Sequence, residues 1–344
     1  MSVNDPKRSF CPSCRYNIPL YNNIPLVTWL VLRGRCANCN CKIPFRYFGV
    51  ELLTALLFLG VWMKVWVWGR PGWPQQPWEL ALPYWIMVSL FVVATFIDFE
   101  WFMIPDEITV YGGVVVGVVL SFAMPGMHDQ ESNLMSGVWS LVGAGVGYAS
   151  LWLVVETGKL AFGKKRLVFK QDAPFSWIRR GEEADVEVGE DKIVWSELFS
   201  RPSDQLLLEC SWLEIDGERF EKASVRMEYE WMHLGAKKWE LVKVNEIRGE
   251  VTKATLPREA MGYGDVKFIA GIGAFLGWKA VLFTIISASS IGAVVGVTII
   301  ALGKKEWSTK IPFGPYLALG ALIWLFQGPE ILQWYMSLML PNAG

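Results

Sequence analysis

The chain has 344 residues, of which 53% are hydrophobic and 14% aromatic, and its mean hydropathy is positive. This composition is too apolar for an ordinary soluble protein of this length, so it predicts a membrane protein. The net charge is -1, which excludes the overall basicity that a nucleic-acid partner would favour.

Residues 1–46 form a polar segment rich in cysteine. Cys11-Pro-Ser-Cys14 and Cys36-Ala-Asn-Cys39 are two C-x-x-C pairs separated by 21 residues, a spacing typical of zinc sites built from two knuckles. Four thiolates complete tetrahedral zinc and leave no open position, so we predict a structural ion rather than a catalytic one. Disulfides are the alternative, and a reducing cytoplasm disfavours them. Cys41, two residues past Cys39, leaves the choice of ligands open.

Apolar runs long enough to cross a bilayer, which takes about 20 residues, predict membrane helices along most of the remaining chain. The long runs lie at 48–68, 80–98, 107–125, 136–156 and 279–302. Shorter runs follow Asp265 and Pro312, and a last one covers 331–340. Together they predict roughly seven or eight membrane segments.

The distribution of Lys and Arg predicts the orientation, because these residues collect in cytoplasmic loops next to membrane helices. Loop 126–135 has neither residue and loop 69–79 has only Arg70, whereas 164–166 is basic. The N-terminal segment carries Lys7, Arg8, Arg15, Arg33, Arg35, Lys42 and Arg46. We therefore predict that this segment and the region after Glu156 face the cytoplasm. The first dozen residues lack the apolar region of a signal peptide.

Residues 163–258 are a charged insertion between two membrane parts, 47–158 and 262–344. Apolar and polar residues alternate at strand period in KIVWSELF, QLLLECSWLEI, ASVRMEYEWM and WELVKVNEI. An Asp216-Gly217 turn separates two of these runs. We predict a small, mostly β cytoplasmic domain in which Cys210 is a buried small residue. The domain carries no catalytic motif, so a spacer or docking surface is its simplest role.

Three aspartates lie where apolar runs begin or end. Asp98 ends the run 80–98, where an ionised carboxylate is costly and needs a partner or a task. Asp106 follows a proline and precedes the next run, which is the pattern of a helix N-cap. Asp265 stands directly behind a Gly-Tyr-Gly triplet and opens another apolar run. Each acid alone is most simply a cap or an interfacial residue, but the topology places Asp98 and Asp265 at the same cytoplasmic face.

Two carboxyl groups in a low-dielectric setting cannot both ionise easily, so one holds a proton while the other accepts one. Such a pair can activate water and protonate a leaving amine, which is the chemistry of an aspartic peptidase. Gly262 and Gly264 lack a β-carbon, so the backbone can turn sharply and bring Asp265 up to Asp98. Lys267 lies just beyond, and snorkelling to the surface is its simplest role, with a contact to substrate or a backbone carbonyl as the alternative.

Other chemistries have little support in this sequence. The predicted topology puts the two histidines, His128 and His233, on opposite sides of the membrane, which argues against His-metal or Ser-His catalysis. The glycine-containing stretches GVGYAS and GIGAFLG lie inside apolar runs, where they favour helix packing over phosphate binding.

The chain resembles the bacterial type IV prepilin peptidases, also called leader peptidases, in an ordered set of specific motifs. They span nearly all of the chain outside the insertion: CPSC, NIPLVTWLVLRGRC, CANC, RYFGVELLT, DFEWFMIPDEIT, GYGDVKFIAGIGAFLGW and PFGPYLALG. The resemblance implies an inner-membrane aspartic peptidase of the Gly-x-Gly-Asp class that cleaves the basic leader of prepilins and type II secretion pseudopilins. It also implies catalytic roles for Asp98 and Asp265 and a cytoplasmic zinc lobe made by Cys11, Cys14, Cys36 and Cys39.

Two departures from the family pattern change what we expect. Family members usually begin with another membrane helix ahead of the cysteine lobe, so we expect a truncated chain or a misplaced start. Many members also methylate the new N-terminal amine with S-adenosylmethionine, an activity associated with the N-terminal region. Methyltransferase activity is therefore a separate expectation from peptidase activity. The insertion at 163–258 replaces a short loop, and its position suggests that it gates the site or recruits substrate.

We therefore predict an all-α polytopic membrane protein, with an N-terminal zinc lobe and an inserted β-rich domain, in the bacterial inner membrane. Its expected partners are the lipid bilayer, prepilin and pseudopilin substrates, and proteins of a pilus or secretion assembly. The alternative function is a catalytically inactive scaffold of such an assembly. A broader intramembrane peptidase of the archaeal preflagellin type is disfavoured by the two C-x-x-C pairs.

Overall fold

The computed structural model describes residues 9–68, 78–162, 164–181, 183–189, 191–199, 204–235, 237–257, 262–302 and 312–339. The first eight residues of the predicted zinc lobe and most of loop 69–79, with Arg70, lie outside these ranges. The chain forms two compact units, one of Met1–Leu151 with Tyr263–Gly344 and the other of Trp152–Gly262.

Helices dominate the first unit. The described helices are α1 (Val27–Val31), α2 (Phe45–Trp62), α3 (Ala81–Trp101), α4 (Val116–Ala123), α5 (Asn133–Phe162), α6 (Trp195–Leu198), α7 (Tyr263–Ala301) and α8 (Gly314–Met339). Wider π-helical turns extend two of them, at Met63–Trp68 after α2 and at Glu107–Val115 before α4.

Four described helices are long and apolar enough to cross a membrane: Phe45–Val67, Trp78–Trp101, Asn133–Gly158 and Tyr263–Ala301. Glu107–Ala123 is a shorter apolar helix. On α2, the apolar side chains of Leu53, Leu56 and Leu59 are exposed, as expected of a helix that meets lipid tails rather than water. The protein is therefore a membrane protein, mostly helical and interrupted by an inserted sheet.

Helix α7 is two helical arms joined by a sharp turn at Gly277. This residue has φ 80° and ψ 172°, a conformation that glycine adopts without strain. A β-carbon built on Gly273 would lie 2.9 Å from a methyl group of Val281, although eight residues of straight helix would separate them by about 12 Å along the axis. The chain therefore turns back here, so the predicted separate runs after Asp265 and at 279–302 are confirmed.

The first arm of α7, from Tyr263 to the turn, packs closely against two neighbouring helices through glycine. A β-carbon on Gly113 would lie 3.1 Å from the α-carbon of Gly271, and one on Gly143 would lie 2.1 Å from the carbonyl oxygen of Gly273. Backbones approach this closely only where side chains are absent. The prediction that GIGAFLG serves helix packing is confirmed.

Helix α8 runs without a break from Gly314 to Met339, through Pro329. The prediction of a separate last segment at 331–340 is therefore wrong. A proline removes only its own N–H from the helix, and neighbouring helices make such a residue tolerable in membrane segments. The ring centroids of Phe283 and Trp324 lie 5.3 Å apart, which packs α8 against the second arm of α7.

The insertion is an antiparallel sheet of eight described strands. They are β1 (Lys164–Arg180), β2 (Glu183–Val188), β3 (Asp191–Val194), β4 (Leu206–Ile215), β5 (Glu218–Met227), β6 (Trp231–Leu234), β7 (Lys237–Glu240) and β8 (Glu246–Pro257), in the spatial order β3-β2-β1-β8-β4-β5-β6-β7. Alternate residues of β4 and β8 are buried, which gives the sheet one core face.

The predicted strands of the insertion are confirmed in part. The Asp216-Gly217 turn joins β4 to β5, and both of its residues have positive φ, as a two-residue hairpin of this type requires. The run KIVWSELF is only half strand, because Trp195–Leu198 is helical, and WELVKVNEI is interrupted by a 3-10 turn at Leu241–Lys243. Cys210 is buried as predicted, and burial raises its pKa to about 12.

Candidate functional site

Asp98 lies in the last turn of α3, and its position follows from how that helix ends. Phe102 adopts a left-handed conformation, with φ 53° and ψ 32°, and its N–H donates to the carbonyl oxygen of Asp98 at 3.0 Å. The chain then leaves the helix through Ile104 and Pro105. Asp98 is only 5% exposed, so its carboxyl group has little access to bulk water and depends on partners within the protein.

The described partner of the Asp98 carboxyl group comes from the start of α8. The backbone N–H of Gly314 donates to Oδ2 of Asp98 at 2.9 Å in a buried setting. Sequence analysis gave Gly314 no role, although the glycine-proline pair that opens an apolar run was a usable signal. Proline suits the first turn of a helix, where amide groups have no acceptor within the helix.

Asp265 lies in the first turn of α7 and is half-buried. It is close enough to Asp98 for the two carboxyl groups to interact electrostatically. The structure therefore brings together the two aspartates that were paired from the sequence, although they lie 167 positions apart in the chain.

Ile104 packs between the segments that carry the two acids. A β-carbon on Gly264 would lie 3.3 Å from the backbone nitrogen of Ile104, and the Ile104 side chain lies beside Gly314. Glycine at 264 therefore allows close approach to the segment that follows α3. An added β-carbon on Gly262 meets no described atom within 4 Å, so the predicted close approach applies to Gly264 and not to Gly262.

Lys267 and Asp106 form an ion pair beside the two acids. The Lys267 ammonium donates to both carboxylate oxygens of Asp106, at 2.6 and 2.9 Å. Asp106 is the N-cap residue of the π-helical turn, as its sequence pattern predicted, but its side chain makes no capping hydrogen bond there. The Lys267 side chain is partly exposed, and its ammonium pairs with the exposed Asp106 carboxylate rather than with a backbone carbonyl.

A second ion pair, between Arg46 and Glu100, ties the start of α2 to the last turn of α3. The guanidinium of Arg46 also lies over the ring of Phe96, 5.2 Å from its centroid, a favourable arrangement for a cation on an aromatic face. The segment that follows the cysteine lobe is thereby attached to the helix end that carries Asp98.

The cysteine lobe contains two similar turns. Each C-x-x-C pair is followed by a residue in the left-handed region, Arg15 and Asn40, both with φ 56°. In each turn the N–H of that residue donates to the carbonyl oxygen of the first cysteine of the pair, Cys11 or Cys36, at 2.8 and 3.0 Å. The two turns therefore have equivalent backbone geometry, and the two cysteine pairs face the same centre.

The sulfur atoms of Cys11, Cys14, Cys36 and Cys39 all lie within 4.8 Å of one another. Tetrahedral zinc with bonds of about 2.3 Å to sulfur separates its ligand atoms by about 3.8 Å, so this set fits a metal ion. Cys41 is close as well, with its sulfur 3.5 Å from that of Cys11. The four cysteines therefore fit a metal site, and Cys41 is close enough to be an alternative ligand.

Backbone hydrogen bonds favour thiolates at the first cysteine of each pair. Those from Cys14 and Ser13 lower the pKa of Cys11 to about 6, and those from Cys39 and Asn38 lower the pKa of Cys36. At Cys39 the backbone of Cys41 lowers the pKa, but neighbouring thiols and burial outweigh it, so the pKa is raised. A cation at this centre would displace the remaining protons.

The two histidines lie in different units. His128 has Nε2 3.1 Å from the carbonyl oxygen of Ala274 and 3.1 Å from the hydroxyl of Ser121, next to the turn at Gly277. His233 belongs to β6 of the insertion. Neither histidine belongs to α3 or to the first turn of α7, which carry Asp98 and Asp265.

These features define a class of protein: a membrane protein of apolar helices in which a buried aspartate and a half-buried one meet at the ends of α3 and α7. Two family models match the parts of the chain that contain the cysteine lobe and Asp265. Residues 1–65 match the bacterial peptidase A24 N-terminal domain, and residues 250–297 match the type IV leader peptidase family. In these two parts the chain is similar to the type IV leader peptidase family.

Three similar proteins from different bacteria carry the same name. The chain is 29% identical over 337 residues to a prepilin leader peptidase/N-methyltransferase of Aeromonas hydrophila, which covers 96% of this chain and 75% of the relative. A relative of the same name from Legionella pneumophila is 26% identical and covers 96% of this chain and 76% of the relative. One from Myxococcus xanthus is 37% identical over 49% of this chain and 47% of the relative. No solved structure matches the chain.

Proposed function

We propose that this protein is a membrane aspartic endopeptidase that removes the basic leader from type IV prepilins and type II secretion pseudopilins. The match to the leader peptidase family model supports this function, and so do the names of the relatives. The observation that carries the proposal is the placement of Asp265 at the start of α7, close enough to Asp98 at the end of α3 for the two carboxyl groups to interact electrostatically. An aspartic peptidase needs two neighbouring carboxyl groups that are shielded from bulk water.

The mechanism requires that the two carboxyl groups share one proton. The ionised group accepts a proton from a bound water, whose oxygen attacks the carbonyl carbon of the scissile peptide bond. The protonated group donates to the carbonyl oxygen, which gives a tetrahedral intermediate. The C–N bond then breaks, the leaving amine takes the proton that came from water, and a hydroxyl group of the intermediate returns its proton to the carboxylate that had donated one, so that the pair again holds a single proton. The two carboxyl groups titrate as a coupled pair. The shared proton and the role of general base are therefore properties of the pair and are not assigned to one residue.

Asp106 and Lys267 support this pair by position. Their ion pair joins the segment that follows α3 to the first arm of α7, two residues beyond Asp265. It holds together the two chain segments whose acids must meet, which is a positioning role rather than direct chemistry.

The four cysteines of the lobe would hold structural zinc. Support comes from the distances among their sulfur atoms and from the lowered pKa of Cys11 and Cys36. The ion would fix the fold of a lobe that has little apolar content of its own. We assign the lobe and the acid pair to the cytoplasmic side of a bacterial inner membrane, on the support of the Lys and Arg distribution.

N-methylation of the new N-terminus is part of the name of the relatives. The same cleavage assay measures it, because a methylated product is heavier than an unmethylated one. Addition of S-adenosylmethionine as the only variable separates the two activities.

The test is cleavage of a purified prepilin by purified protein in detergent or lipid, read by the mass of the product's N-terminus. Asp98→Asn and Asp265→Asn are expected to abolish cleavage while the protein stays folded. Asp129→Asn is the matched control, because Asp129 lies in the loop between α4 and α5 and its positive φ suits asparagine. Cleavage by either pair variant at the normal rate would exclude the mechanism and favour a catalytically inactive scaffold.

A further inference from the structure

We propose that the backbone amide of Gly314 is a positioning group for Asp98, and that glycine is required at this position for the acid pair to work. The inference rests on the proposed peptidase function and deepens it by giving a task to the start of α8. Asp98 needs such a group because the end of α3 is a poor place for a negative charge. The C-terminus of a helix carries partial negative charge, and burial removes the water that would otherwise offset it.

The first turn of α8 is arranged to meet that need. The N–H groups of Tyr316 and Leu317 both donate to the carbonyl oxygen of Phe313, at 3.0 and 3.1 Å. Pro315 has no N–H, and the N–H of Gly314 donates to Oδ2 of Asp98 at 2.9 Å. Every amide of this turn is thereby accounted for. The partial positive charge of the helix N-terminus adds to the effect of the single hydrogen bond.

The requirement for glycine is steric. Gly314 is absent from the residues with positive φ, so its backbone conformation alone admits other residues. A β-carbon there would lie 2.7 Å from Oδ2 of Asp98 and 2.8 Å from Cδ1 of Ile104. Both neighbours belong to packed segments, so alanine would separate Asp98 from the amide or move α8 away from α3.

This contact makes the two oxygens of Asp98 unequal. An amide N–H can only donate, so Oδ2 is held as an acceptor. The other oxygen, Oδ1, is left for the water and for the proton shared with Asp265. The amide therefore stabilises the anionic form of Asp98 and orients its carboxyl plane before substrate arrives.

The sharpest test deletes the N–H without changing the shape of the residue. Glycolic acid incorporated at position 314 by nonsense suppression replaces the amide by an ester. The matched control is glycolic acid at position 320, in the middle of the same helix. We expect the ester at 314 to lower kcat for prepilin about 10- to 100-fold, as loss of a hydrogen bond to a charged group predicts. KM stays within about twofold, because the contact lies on the acid pair rather than on the substrate.

The pH profile distinguishes positioning from general support of the fold. The acidic limb of the kcat profile is expected to move to higher pH by about one unit with the ester at 314, because the anion of Asp98 loses a stabilising donor. The ester at 320 removes a helix hydrogen bond and lowers thermal stability, but leaves this limb in place. Gly314→Ala is expected to lose activity as well, whereas Gly145→Ala, where an added β-carbon meets nothing within 4 Å, keeps it.

Equal kcat and equal pH profiles for the two esters would overturn the inference, as would normal cleavage by Gly314→Ala. Wild-type protein assayed in parallel separates this failure from that of the proposed function. Cleavage by wild type and by the ester at 314 alike refutes the inference alone. Absence of cleavage by wild type refutes the proposed function, and the inference falls with it.

Discussion

Removing the ion pair between Lys267 and Asp106 should slow catalysis more than it destabilises the protein. At 2.6 Å, two unit charges attract by about 6 kcal/mol with an effective dielectric constant of about 20. The Lys267 and Asp106 side chains are 34% and 54% exposed, so hydration and side-chain entropy offset most of this attraction. Exposed pairs retain about 1 kcal/mol. Because Lys267 donates to both carboxylate oxygens of Asp106, we expect this ion pair to keep close to that full value.

The pair joins the two segments that carry the acids, so its loss relaxes the distance between them. A loss of about 1.4 kcal/mol from transition-state stabilisation lowers kcat about tenfold. Lys267→Met, which keeps the length of the apolar stem, is the variant of choice, with Asp106→Asn as its partner in a double-mutant cycle. Initial rates of prepilin cleavage at low salt and at about 1 M salt, where screening is strong, give the measurement.

The double variant is expected to be no slower than either single variant, because each substitution removes the same interaction. Lys279→Met is the control, since its ammonium lies near the ring of Trp278 beside the turn of α7. Rates that fall independently and multiply in the double variant would refute the coupling. Rates that are unaffected by every substitution would refute the positioning role.

Two further predictions concern the lobe and the turn of α7. Metal analysis of purified protein should give about one zinc per chain, and Cys36→Ser should lose it together with the lobe's resistance to proteolysis. Zinc affinity should fall as pH falls, because protons compete for the thiolates. The control is Cys210→Ser, in the insertion, which should leave the zinc content unchanged. A zinc-free protein with an intact lobe would contradict the structural role. Gly277→Ala should lower the free energy of unfolding by about 1–2 kcal/mol because the left-handed φ of 80° strains any residue with a β-carbon. Thermal unfolding compared with Gly145→Ala measures this effect, and equal midpoints would show that the turn tolerates side chains.

Several parts of the fold could be predicted because they depend on neighbours in sequence. Apolar runs of sufficient length define membrane helices, and the run after Asp265 was predicted separately from the one at 279–302, although the turn at Gly277 between them was not. The Asp216-Gly217 hairpin follows from the backbone conformation that its two residues favour. The insertion was predicted less well: β1 and β2 were not predicted, although EADVEV in β2 alternates at strand period, and Trp195–Leu198 forms a helical turn inside the predicted run KIVWSELF. There, pairing across the sheet decides the conformation.

For the site, the chain by itself determined the candidate groups: two aspartates at the ends of apolar runs and two C-x-x-C pairs at zinc spacing. Charge in an apolar setting is costly enough to stand out in a single sequence. Tertiary structure alone decided their partners. Lys267 donates to Asp106 from 161 positions away, and the amide of Gly314 reaches Asp98 from 216 positions away. Backbone amides look alike in a sequence, so only the packing of α8 against α3 shows which one faces the acid.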